Sequence, residues 1–137
     1  MEEKHKRYAP AVVRIGAALV FIWFGLEQLV NASDWTGWIP GYVRALPVSA
    51  VTLVHLNGAF ETLFGLLLLT GLYTRLVSSL LAIHMAHIVT IVGYGEIGVR
   101  DFGIFMMALS AAFHGPDSFS LDSFFSREDK DKNTASV

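Results

Sequence analysis

The chain has 137 residues, 53% of them hydrophobic and 16% charged, with a formal net charge of -2. That length holds one domain, and long apolar runs with few charges point to a membrane protein rather than a soluble one. The lack of a basic stripe argues against a nucleic-acid role, and the absence of cysteine excludes thiolate nucleophiles, disulfide exchange, persulfide carriers and thiolate-bound metal within this chain.

Residues 1–9 are mostly polar and basic, and an apolar run follows over about 11–30, with VVRIGAALVFIWFGLEQLV at its heart. At about 1.5 Å per residue this run is long enough to cross a bilayer. Basic-then-apolar is also the order of a cleaved signal peptide, but the run is too long for one and carries poor small-residue cleavage signals. Residues 31–47, NASDWTGWIPGYVRALP, read as a long loop whose Gly and Pro interrupt any continuous helix. Trp35, Trp38 and Tyr42 in it suit the membrane–water interface, and part of the loop is expected as a short surface helix. A second span is predicted over 48–70 and a third over 76–92. The very short turn between them, with Gly71, Thr74 and Arg75, makes them antiparallel neighbours. Gly93, Gly95 and Gly98 give a flexible second loop, and the fourth span, over 99–114, is stopped by Gly115-Pro116. The expected fold is all-α, an integral-membrane antiparallel four-helix bundle over 1–122. A cytoplasmic tail over 123–137 is expected to be disordered because it is highly charged.

Orientation follows from lysine and arginine. Lys4, Lys6, Arg7, Arg14, Arg75, Arg127, Lys130 and Lys132 fall on one side, and only Arg44 and Arg100 on the other. By the positive-inside rule both termini are then cytoplasmic.

Several polar side chains lie in or near the spans, where they are costly and normally face a bundle interior. Residues three, four and seven apart share a helix face. On the second span Asn57, Gly58, Glu61 and Gly65 make one stripe, with glycines that let another backbone approach. His84 and His87 form the polar middle of a face on the third span. Glu61, His84 and His87 are therefore the candidate catalytic residues, as proton acceptors or as partners to a ligand hydroxyl. Arg100, Asp101, His55, Asn57 and Glu27 are candidate binding residues, all able to line one outward-opening cavity. A functional Arg100 would attract an anion. A metal site is not predicted, because four-helix carboxylate sites use Glu-x-x-His and neither His84 nor His87 has Glu three residues before it. Haem or metal held through His55, His84 and His87 is the weaker reading.

The stretches RIGAALVFIWFGLEQL and NGAFETLFGLLLLTGLYTRLVSSLLAIHMA, and the ending HGPDSFSLD, resemble the DoxX family of small four-helix membrane proteins over roughly residues 13–122. The resemblance implies a four-helix membrane bundle and an association with redox chemistry, since related proteins include a subunit of thiosulfate:quinone oxidoreductase. It also makes Glu61 and the Gly71-Leu72-x-Thr74-Arg75 turn family-like positions. The expected function is therefore a membrane oxidoreductase, or its membrane subunit, using quinone as co-substrate and a small, sulfur-containing donor, with a redox partner protein. The alternatives are a non-enzymatic scaffold or assembly factor, and a small transporter. Four short helices leave little room for a pore, so transport would require a homo-oligomer.

Overall fold

The computed structural model describes residues 2–135. It is an all-α structure whose helices are α1 (Glu2–Val30), α2 (Ala32–Trp35), α3 (Gly41–Arg44), α4 (Ala50–Thr70), α5 (Thr74–Val92), α6 (Glu96–His114) and α7 (Leu121–Ala135), with a single 3-10 turn at Thr36–Trp38. Four of these are long and apolar enough to cross a membrane: Arg7–Val30 within α1, then α4, α5 and α6. They form an integral-membrane four-helix bundle.

The helix ends have local causes. The Ser49 side chain accepts from Thr52 N at the start of α4, which satisfies one of the free N–H groups there. Gly71 ends α4 in the left-handed conformation, φ 71°, and Leu72 N reaches back to Leu67 O at 3.0 Å. Tyr73 follows at φ 50°, unusual for a non-glycine residue. It is held there by Asp122, which accepts from both Tyr73 N (2.8 Å) and Thr74 N (2.7 Å) and so caps α5 from a distant part of the chain.

Helix α1 packs closely on α4, α5 on α6, and α1 also on α6. Of the spans that pack as neighbours, α4 and α5 make the lightest contact, although one tight turn joins them. The direction of α1 against α4 is read from its bonds: Gln28 meets Glu61, while Arg14 meets Leu68 and Leu69, so the two run antiparallel. Their close approach depends on glycine. A Cβ on Gly58 would sit 2.8 Å from Gly25 O, and one on Gly65 would sit 2.9 Å from Ile22 Cγ1. Gly58→Ala is therefore expected to force the helices apart and to cost about 1–3 kcal/mol. Thermal unfolding in detergent measures this, and an unchanged midpoint would show that the interface gives way freely.

The apolar core gathers Ala17, Ala18, Phe21, Leu68, Val77, Leu81 and Ala108 in the half of the bundle nearest the 71–73 turn. Leu19, Trp23, Leu63, Ile83, Phe102 and Phe113 project outward, as a lipid-facing surface requires. The half nearest the 31–49 loop is less filled and contains the cavity described below.

At the turn end a polar clamp closes the bundle. Arg14 is 2% exposed, with Nη1 donating to Leu68 O (2.8 Å) and Leu69 O (2.6 Å), the carbonyls left free at the end of α4. Its Nε donates to Asp117 Oδ2 at 2.5 Å. The closing segment 115–122 thus ties α1, α4 and α5 together. Composition predicts disorder over 123–137, whereas the structure has helix from Leu121 to Ala135; residues 136–137 lie outside the described residues. Its first turn is fastened by Asp122 N to Gly71 O (3.1 Å) and by Ser120 Oγ, which accepts from Ser123 N (3.3 Å).

Candidate functional site

Glu61 lies on the glycine face of α4 and is 3% exposed. Three side chains from three helices converge on its carboxyl group. Gln28 of α1 donates Nε2 to Oε2 at 2.7 Å. Asn57, one turn earlier on α4, donates Nδ2 to Oε1 at 3.1 Å and also to Gln28 Oε1 at 2.7 Å. His84 of α5 places Nε2 2.9 Å from Oε1. Where Glu61 accepts all three bonds, His84 donates from Nε2. The imidazole also lies against Phe60, with ring centroids 4.9 Å apart. Glu61 is thus held as an acid–imidazole pair backed by two amides, at a depth where its charge must be matched.

A cavity of about 360 Å³ opens beside this cluster, in the size range of small-molecule sites. Its walls are largely apolar: Phe21 and Phe24 from α1, Leu53 and Val54 from α4, Ile88 and Ile91 from α5, Ile97 and Ile104 from α6. The long loop roofs it with Trp35, Trp38, Ile39, Pro40 and Val43. Arg44 stiffens the roof by donating to Ile39 O (3.1 Å) and Thr36 O (2.9 Å), and Tyr42 Oη lies 2.6 Å from His87 Nε2, joining the roof to α5.

The structure brings Asn57, Glu61, His84, His87, Arg100 and Asp101 to this one cavity. His87 sits toward the roof and is not in the Glu61 cluster. Asp101 is 3% exposed, and its Oδ1 accepts from Arg100 Nε (2.8 Å), with Arg100 Nη2 at 2.7 Å. The Arg100 guanidinium lies 4.9 Å from the centroid of the Phe24 ring. Its charge is therefore already engaged at the cavity edge. His55 is exposed on another face of α4, and Glu27 is half-buried, accepting from Asn31 Nδ2 at 3.0 Å; neither lines the cavity. Among the described residues, no three His, Asp or Glu side chains converge as a metal-ligand set.

Sequence reasoning missed Gln28, Arg14 and Asp117. The spacing of Arg14, Ala17, Ala18, Phe21, Gly25 and Gln28 marks one face of α1 and would have found the first two. Asp117 is a titrating group outside the spans. Burial works to raise its carboxyl, but the bonds from Arg14 and from Phe119 N, with the charges of Arg14 and His114, hold it below 3.8. A carboxyl depressed in the folded state stabilises above its unfolded value and loses that contribution as pH falls through the folded value. The stability gap between wild type and Asp117→Asn is thus expected to be full above about pH 5 and to close below 3.8. Thermal midpoints across pH measure it, and a gap that widens in acid would contradict the assignment.

The fold and site define a polytopic membrane bundle with a buried acid–imidazole pair beside an apolar cavity. The chain belongs to the DoxX family, whose model matches residues 9–94, and that family is associated in general with oxidoreductase function. No curated protein and no solved structure matches the chain. Gln28, Asn57, Glu61 and His84 fall inside the matched stretch, and Arg100, Asp101 and Asp117 beyond it.

Proposed function

We propose that this protein is a quinone-linked membrane oxidoreductase, or the membrane subunit of one, with a small sulfur-containing anion as electron donor. The observation that carries this reading is the pairing of Glu61 with His84 at the floor of a largely apolar cavity. Apolar walls suit a quinone ring and its tail, and the loosely packed α4–α5 seam offers a way in from lipid. Reducing a quinone to its quinol takes two electrons and two protons. The donor supplies the electrons directly or through a partner protein, because electron carriers belong to cofactors rather than to side chains such as these. Both protons come from water: the Glu61–His84 pair relays one of them to one ring oxygen, as a positioned acid–base pair does, and the other ring oxygen takes the second from water at the cavity mouth. The lysine and arginine bias favours cytoplasmic termini, and with that orientation the cavity mouth and Arg100 face the outer side, where an anionic donor would arrive.

A second reading has its own support. The bonds to Glu61 join α1, α4 and α5, which is also what a scaffold held by interhelical hydrogen bonds requires. The deciding experiment reconstitutes the full chain, with any proteins that co-purify in mild detergent, and follows quinone absorbance on addition of thiosulfate. Reduction that depends on the chain supports the oxidoreductase. Partner capture with equal quinone reduction in its absence supports the scaffold.

A further inference from the structure

The cavity has a second polar pole that the Glu61 cluster does not use. Asp101 is almost fully buried and lines the cavity, yet both contacts from Arg100 fall on Oδ1. Its Oδ2 accepts nothing from the described residues. At the first pole the Asn57 amide nitrogen is occupied by Gln28 and Glu61, and His84 Nε2 by Glu61, so Asn57 Oδ1 and His84 Nδ1 are likewise without a partner among the described residues. With the His84 proton on Nε2, all three of these free atoms are acceptors. Along their helices, Asp101 of α6 stands about one turn nearer the loop end than His84 of α5.

We infer that the cavity recognises the reduced, dihydroxy form of its ring ligand: one hydroxyl donates to the Asn57–His84 pole and the other to Asp101 Oδ2. This rests on the quinone reading above and deepens it. A buried acceptor facing a hydroxyl rejects an analogue that cannot donate, because two acceptors are then left opposed. Hydrogen bonds to charged groups make the expected preference for quinol over quinone about tenfold or more. Tighter binding of the reduced form makes the bound quinone a stronger oxidant, by about 30 mV per tenfold for two electrons. That helps it draw electrons from a weak donor.

The test titrates the full chain in detergent, without oxygen, with a short-tailed benzoquinol and with the matching quinone. Binding is read from the fluorescence of Trp35 and Trp38, both on the cavity wall. Wild type is expected to bind the quinol at least tenfold more tightly. In Asp101→Asn the ratio is expected to fall toward one, because an amide also donates to a carbonyl. The two monomethyl ethers of the quinol provide a check on wild type alone, should the variant fail to fold; each is expected to bind about tenfold more weakly than the quinol. An unchanged ratio in a folded Asp101→Asn, or an ether that binds as well as the quinol, overturns the assignment while leaving the quinone reading standing. Binding of neither form by wild type overturns both.

Discussion

Glu61→Gln is expected to lower quinone-dependent turnover by about a hundredfold or more, the usual loss when a positioned acid–base group is removed. The substitution keeps the size of the side chain and removes the carboxyl oxygen that can carry a proton. It also upsets the surrounding bonds. Glu61 receives Gln28 on one oxygen and Asn57 and His84 on the other. An amide at this position has one acceptor, so one of its neighbours faces a donor. That mismatch costs about 1–3 kcal/mol, a modest loss beside the effect on rate. Turnover and thermal midpoint measured on the same preparation separate the two. A variant with near-normal turnover removes Glu61 from proton transfer and leaves it as helix glue.

The largest effect on stability is expected at the other end of the bundle. Arg14→Met removes the donors that satisfy Leu68 O and Leu69 O and leaves Asp117 buried without its cation. Breaking a buried pair from one side costs about 3–5 kcal/mol. Arg14→Lys should recover only part of it, since a point charge cannot reproduce a planar fork reaching two carbonyls and a carboxylate. Combining Arg14→Met with Asp117→Leu should recover more than either alone, because no buried charge is then unpaired. Thermal unfolding in detergent, with size-exclusion profiles, reads all three. If Arg14→Met melts with wild type, the clamp is incidental to the fold. The clamp and the cavity sit at opposite ends, which lets the turn half hold the bundle together while the loop half stays open enough to admit a ligand.

The four spans were legible because length and apolarity are local properties, and the structure moves their ends by only a few residues. Glu61 was legible for the same reason: Gly58 and Gly65 beside it mark the packed face of α4 by spacing alone. Gln28 was hidden by the more conspicuous Glu27, although a step of about 100° around the helix turns one inward and the other toward the surface. Arg14 read as one more charge on the cytoplasmic side. Its role rests on Leu68 and on Asp117, 54 and 103 residues further along the chain, and no local pattern carries such a pairing. The same holds for Tyr42 and His87, joined only once the loop folds over α5. The helicity of α7 was obscured by reading charge as disorder, while its anchoring residues, Ser120 and Asp122, lie just before the charged run.

A quinone ring held in the loop-half cavity beside Glu61 and His84 would touch the surrounding walls and roof. Photolabelling of the full chain in membranes with a short-tailed azidoquinone, followed by mapping of the labelled peptides, reads this occupancy. Label is expected on the cavity walls, around Leu53 and Val54 of α4, Ile88 and Ile91 of α5, and Ile39 and Val43 of the roof, and is expected to be removed by excess unlabelled quinone. Label confined to outward residues such as Leu63 and Ile83, and indifferent to competition, would contradict it.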